Sequence, residues 1–273
     1  MSNRRWNKKS KLILLILVLV ALVVTLAACG GTAETTANET TTVPVVTTTP
    51  LDGDDAMAAY EYVSEKMNAL KGFEATLIEE QTVGFNNTKL EMVAKINLLD
   101  GKKGFISTKL DDKGSTLDMT YIDGVVYCLM KSPGVEMKYK TQEESLINSF
   151  EEMFNSFEEV EESKIESVSF GERENGVYTL TATFAKEKAL DVLMKQYEEL
   201  GIDESALTDI QCTAEIICNA DGYATRVTQK ITYTLQGMAC SVISDGTYIN
   251  VGTLPEITAP ADAYSYVNRD EME

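Results

Sequence analysis

Leu117-Asp118-Met119-Thr120-Tyr121-Ile122-Asp123-Gly124-Val125-Val126-Tyr127-Cys128-Leu129 is the stretch that sets the fold class. Leu117, Met119 and Tyr121 alternate with more polar residues, and Val125, Tyr127 and Leu129 repeat the period of two after Asp123-Gly124. Successive strand side chains point to opposite faces, so each half reads as a strand with one apolar face, and the Asp-Gly pair reads as the turn between them. Similar punctuation recurs at Asp100-Gly101, Asp112-Lys113-Gly114 and Pro133-Gly134. The centre of the chain is therefore predicted to be a meander of antiparallel strands.

Working towards the N-terminus, strands are predicted over Lys89 to Leu98 and Phe73 to Val83, around the turn-prone Asn86-Asn87 and with imperfect alternation. Before them the period changes. Met57, Tyr60, Val63, Met67 and Leu70 recur at spacings of three and four, predicting a helix that begins after Asp54 or Asp55 and ends by Gly72. Towards the C-terminus, Val135 to Lys140 reads as a strand, and Thr141 with Glu144 resembles a capping box. It opens a second helix with Leu146, Phe150, Met153, Phe154 and Phe157 along one stripe. Strands at Lys164 to Gly171 and Val177 to Phe184 lead to a third helix, Lys186 to Leu200, facing inward through Ala189, Leu190, Leu193, Met194 and Tyr197. Ile210 to Asn219, Tyr223 to Leu235 and Met238 to Ser244 complete the strands, the last ending before an expected turn at Asp245-Gly246, with Asn250 and Gly252 closing a final short strand. About ten strands and three helices in one α+β domain, residues 52–273, is the expectation.

The first 51 residues read differently. Arg4, Arg5, Lys8, Lys9 and Lys11 precede a nearly unbroken apolar run, Leu12 to Leu26. That is the layout of a secretory signal, and the run is short of the roughly 20 residues that a membrane-spanning helix needs. Leu26-Ala27-Ala28-Cys29 resembles the bacterial lipoprotein cleavage signal, in which the cysteine is acylated and becomes the first residue of the mature protein. The resemblance implies a signal peptide over 1–28, a lipid attachment at Cys29 and a place on the extracytoplasmic face of the cell membrane. Residues 29–51, rich in threonine with Pro44 and Pro50, hold too little apolar surface to repay ordering and read as a flexible stalk.

Charge narrows the partners. The chain carries 24 basic and 43 acidic residues and no histidine. Removal of residues 1–28, with five basic side chains and no acidic ones, leaves 19 basic against 43 acidic, a formal charge of −24. Such a surface repels nucleic acid and anionic lipid, so anchoring to the bilayer falls to acylated Cys29. The lack of histidine removes the usual neutral-pH proton shuttle and the commonest metal ligand. No GxSxG nucleophile elbow occurs, Asp111, Asp112, Asp118 and Asp123 are read as the aspartates expected in and around turns, and the acidic run from Glu151 to Glu162 lacks the spacing of a calcium loop. No cofactor, metal site or catalytic residue is expected. Cys128, Cys212, Cys218 and Cys240 form an even set that an exported protein could pair as disulfides or keep as buried thiols.

The order of elements resembles the superfamily of the periplasmic lipoprotein-carrier chaperone, and in particular uncharacterised Gram-positive lipoproteins within it. Tyr60 to Phe73, Tyr121 to Tyr127, Met137 to Tyr139, Leu254-Pro255 and Ala261 to Tyr264 carry the likeness. It implies a strongly curved antiparallel sheet forming an incomplete barrel, covered by about three helices, with an apolar cavity between them. A lipid or other apolar small molecule would then lie against Met119, Tyr121, Tyr127 and Leu129 of the sheet and Phe150, Met153, Phe154 and Phe157 of the covering helix. The alternative expectation is a non-catalytic structural or interaction lipoprotein whose same residues fill a core, and which contacts or senses another envelope component.

Overall fold

The structure, a computed structural model, describes residues 49–99, 101–110, 114–155, 165–197 and 201–269. The expected signal peptide, Cys29 and all but the last three residues of the expected stalk lie outside the described residues. Three α-helices are described, α1 (Ala56–Asn68), α2 (Glu144–Asn155) and α3 (Lys186–Tyr197), beside short 3-10 turns. Among the described residues no helix is long and apolar enough to cross a membrane.

Twelve strands make one sheet: β1 (Gly72–Val83), β2 (Asn86–Asn97), β3 (Lys103–Lys109), β4 (Thr116–Ile122), β5 (Val125–Ser132) and β6 (Val135–Thr141), then β7 (Ile165–Glu174), β8 (Val177–Phe184), β9 (Leu207–Asn219), β10 (Ala224–Leu235), β11 (Met238–Ile249) and β12 (Val267–Asn268). Their order is β12-β6-β5-β4-β3-β2-β1-β11-β10-β9-β8-β7. Two meanders, β1 to β6 and β7 to β11, are thus joined where β11 returns to pair with β1. All neighbours are antiparallel except β12, which adds parallel to β6 through Val267 opposite Tyr139.

The expectation of a strongly curved incomplete barrel is corrected here. The sheet is open, with β7 and β12 at opposite ends, and it is neither closed nor strongly curled. Strong curling requires repeated bulges that bend and stagger the strands. The pairings from β6 through β2 and β1 to β11 and β10 run in unbroken register, and shifts occur only between β9 and β10 and between β7 and β8.

Local chemistry explains the elements. Asp55 caps α1, its carboxylate accepting from the amides of Met57 and Ala58 at 3.0 and 3.1 Å, and Tyr60, Val63 and Met67 form the buried face. The helix ends at Asn68, ahead of Gly72. That glycine opens β1 and answers a packing need, since a Cβ there would sit 2.6 Å from the carbonyl oxygen of Ile96. Asp245-Gly246, expected as a turn, lies inside β11, paired with β1 on one side and β10 on the other, and Asp245 takes a bidentate ion pair from Arg226 of β10 at 2.7 and 2.8 Å.

One face of the sheet is covered by helices. Tyr121 of β4 stacks on Phe150 of α2, with centroids 5.3 Å apart, and Tyr233 of β10 shares a 2.6 Å hydroxyl hydrogen bond with Tyr197 of α3. The opposite face is polar over β8 to β10. Over β4 to β6 it meets the C-terminal segment, where Tyr127 packs edge-on against Tyr266 and Lys138 pairs with Asp262 at 2.8 Å.

Candidate functional site

The residues expected to bind an apolar ligand divide between the two faces. Met119 and Tyr121 of β4 lie on the helix-covered face, with Met119 fully buried and Tyr121 nearly so. Phe150 meets them from α2 and is also fully buried. The Tyr121 hydroxyl donates to the Glu151 carboxylate at 2.6 Å. Burial first, and that hydrogen bond second, push the phenol up to about 12, so it remains a neutral donor. Tyr121 and Phe150 pack on one another, and Met119 is buried in the same core.

Tyr127 and Leu129 are on the other face. Ile122 is paired with Val125 across the two-residue turn, so Met119 stands opposite Cys128, Tyr121 opposite Val126, and Tyr127 opposite Thr120. Directly opposed residues in an antiparallel pair share a face. Val126 and Cys128 are accordingly the buried pair of β5, and Tyr127 faces the C-terminal segment. The eight expected residues therefore do not form one site. Met153 and Phe154 fall within α2, but their side chains, like the whole of Phe157, lie outside the described residues.

All four cysteines of the folded part are buried free thiols. Burial pushes Cys128 and Cys218 up to about 11, which suits an inert role in packing. Cys212 is also raised by burial and accepts from Gln229 Nε2 at 3.2 Å.

A second feature escaped the sequence reading. Glu79 of β1 is directed to the helix-covered face and is only 4% exposed. Register places it beside Ser244 of β11, which is beside Gln229 of β10, all three buried. The Ser244 hydroxyl donates to Glu79 Oε2 at 3.4 Å, a long contact. Desolvation pushes the Glu79 carboxyl up to about 7, with the serine opposing weakly. Gln229 Oε1 has no hydrogen-bond partner among the described residues, and neither do the buried hydroxyls of Thr108 and Tyr248 on neighbouring rows of the same face. The parity of Phe73, Ala75, Leu77 and Glu79 was the available signal.

The third feature is at the ends of the strands. Phe85, in the β1–β2 turn, is fully exposed, and Met238, at the start of β11, is 45% exposed. The two turns adjoin: Gly84 donates its amide to the Ala239 carbonyl at 3.2 Å. Residues 49–53 enter the fold at the other strand ends, where Tyr178 donates to Asp52 at 2.7 Å and Arg173 to the Gly53 carbonyl at 2.7 Å. Among the described residues no group of three or more histidine, cysteine, aspartate or glutamate side chains is placed to hold a metal.

No family model matches the chain, and no curated protein matches it. Solved structures do resemble it. LprF from Mycobacterium bovis is similar over 77% of this chain and 100% of its own, at 11% identity and a TM-score of 0.40. A DUF1329 family protein from Desulfovibrio piger is similar over 78% and 97%, at 10% identity and a TM-score of 0.28. A LolA superfamily protein from Nitrosomonas europaea is similar over 74% and 94%, at 8% identity and a TM-score of 0.27.

Proposed function

We propose that this chain is a non-catalytic lipoprotein of the cell envelope, tethered through acylated Cys29 on the extracytoplasmic face, whose sheet domain contacts another envelope component. The observation that carries the reading is the placement of apolar surface. Met119, Tyr121 and Phe150 are buried in the interior, the two rings stacked on each other, whereas Phe85 and Met238 stand exposed together on adjoining turns. Exposed apolar side chains gathered at one place favour a contact surface over a scattered surface residue. They lie at the strand ends away from residues 49–53, where the tethered segment enters. Between Cys29 and Thr49 the chain can extend up to about 65 Å, more than the roughly 40 Å of a 12-residue strand such as β1. A tether of that reach lets the Phe85 end face outward from the membrane.

The lack of histidine and the filled environment around Tyr121 favour contact over catalysis. A photoreactive amino acid at Phe85 in living cells should give a discrete covalent adduct with an envelope component. The same probe at Thr181, on the polar face of β8, should not, and Met238→Asp should suppress the Phe85 adduct. Equal labelling at both positions, or none at Phe85, would reject the contact surface. Cys29→Ser should release the protein from the membrane fraction.

A further inference from the structure

The two ends of the open sheet differ. At one end, β7 is interrupted by bulges beside Ile165 and Phe170 and exposes Glu166, Glu172 and Glu174, features that discourage another strand from adding. At the other end β6 pairs with β5 without a bulge, and β12 covers only Tyr139 and Lys140 of its far side. No strand among the described residues lies beyond Val135, Glu136, Met137 and Lys138. The Pro133-Gly134 turn closes on the pair Ser132 and Val135, so Glu136 and Lys138 turn their backbone N–H and C=O groups away from β5. Val135 is 60% exposed, and Val267, at the start of β12, is 45% exposed.

We propose that this edge of β6 is an interface for a second copy of the chain, and that the C-terminal segment ending in β12 is the guard that keeps it closed. The proposal goes beyond the contact surface at Phe85, which lies at other strands, and does not depend on it. Its basis is a stretch that complements itself. Val135-Glu136-Met137-Lys138-Tyr139, set antiparallel against a copy about Met137, places Glu136 opposite Lys138, Met137 opposite Met137 and Val135 opposite Tyr139. Each pair shares a face, because Met137 and Tyr139 lie on the helix-covered side with Met130 and Cys128, and Lys138 lies on the outer side with Leu129. Two opposite-charge pairs then form about a two-fold axis, the isologous arrangement that closes as a dimer. Sliding the copy by two residues would set Glu136 against Glu136 or Lys138 against Lys138. The guard uses the same groups. Val267 takes the place beside Tyr139 that a copy's Val135 would need. Lys138 donates to Asp262 at 2.8 Å and pairs with Glu136 of its own strand at 2.6 Å, so the charge that a copy's Glu136 would meet is already held. The guarded and self-paired states therefore exclude each other. The guard's hold at this edge is local: a two-residue bridge, a part-exposed ion pair, the Tyr266 ring against Tyr127, and the pairing of Arg269 with Glu143.

The test uses the full chain carrying Cys29→Ser and Met137→Cys, because position 137 alone meets itself across the axis, at the close non-hydrogen-bonded spacing that suits a disulfide. The native thiols of the domain are buried. Oxidised glutathione followed by non-reducing electrophoresis reads the linked dimer, and sedimentation of the same variants without Met137→Cys reads the mass. Asp262→Lys, which repels Lys138 and frees the guard, should raise linkage about tenfold or more over its parent. Lys138→Glu also loses the pair with Asp262, but it sets like charge against the copy's Glu136 and should leave linkage at the parent level. Adding Glu136→Lys to Lys138→Glu returns opposite charges across the axis and should bring linkage and a doubled mass. Thermal melts establish that each variant folds; should Asp262→Lys fail to fold, the single and double charge reversals decide. Asp262→Lys linking no faster than its parent, the single and double reversals linking alike, or Val135→Cys linking as readily as Met137→Cys overturns the proposal.

Discussion

Glu79→Gln should make the domain's stability less sensitive to alkaline pH. Glu79 is 4% exposed, and desolvation moves its carboxyl from 4.5 to about 7. The native state therefore holds a proton that the unfolded chain has already released between those values. Stability conferred by the neutral carboxyl is complete below about pH 4.5, falls as pH rises towards 7, and is lost above it. A displacement of that size corresponds to roughly 3 kcal/mol, most of it between pH 5 and pH 8. Carboxylates paired with cations act in the opposite sense: Arg226 holds Asp245 below its ordinary range, so its contribution disappears as pH falls. The informative quantity is thus variant minus parent. Urea unfolding of both proteins at pH 5 and pH 8, without amine buffers, should show Glu79→Gln gaining about 2 to 3 kcal/mol relative to the parent on going to the higher pH. A difference that is the same at both pH values would refute a neutral, desolvated Glu79.

Two further outcomes follow from the geometry of turns and thiols. Gly222→Ala should destabilise by about 2 to 3 kcal/mol in thermal or urea unfolding, because φ is +84° and the new Cβ would lie 2.3 Å from the Tyr62 ring; Gly237→Ala, at φ +82° with nothing within 4 Å, should cost only the backbone part, about 1 kcal/mol. In chain carrying Cys29→Ser, thiol titration should find Cys128, Cys212, Cys218 and Cys240 unreactive while folded and all four reactive in denaturant without reductant, since each is buried and free.

Much of the chain was legible from period and punctuation. The face Tyr60, Val63 and Met67 of α1 and the face Ala189, Leu193 and Tyr197 of α3 were readable because a helix stripe depends on local spacing alone. The overall curvature was not, because it depends on bulges and stagger between strands far apart in the chain. The same limit hid the pairing of β11 with β1, which joins residues 74 and 249. The parity of β5 was available and was missed. Asp123 and Gly124 both adopt positive φ, 51° and 76°, the arrangement of a two-residue hairpin turn. That turn sets Ile122 opposite Val125, so odd-numbered residues of β4 must share a face with even-numbered residues of β5. Val125, Tyr127 and Leu129 alternate correctly, but they alternate on the outer face.

The imperfect alternation of β1 has a different origin. Glu79 interrupts an inward series that begins Phe73, Ala75, Leu77, and in isolation this looks like a weak strand signal. Gln229 interrupts Val227 and Ile231 in the same way, and Ser244 interrupts Val242 and Gly246. The three exceptions are separated by 150 and 15 residues in sequence, yet β11 enters between β1 and β10 with a register that aligns all of them. Thr108 and Thr141, also buried and polar, fall on other rows of the same face, so what distinguishes Glu79, Ser244 and Gln229 is that the register makes them neighbours across three adjacent strands. Glutamate there is destabilised by its own desolvation once the pH is high enough to ionise it, and the long contact from the Ser244 hydroxyl offsets little of that cost, so the pH dependence of stability reports on a juxtaposition that only the register of β1, β11 and β10 creates.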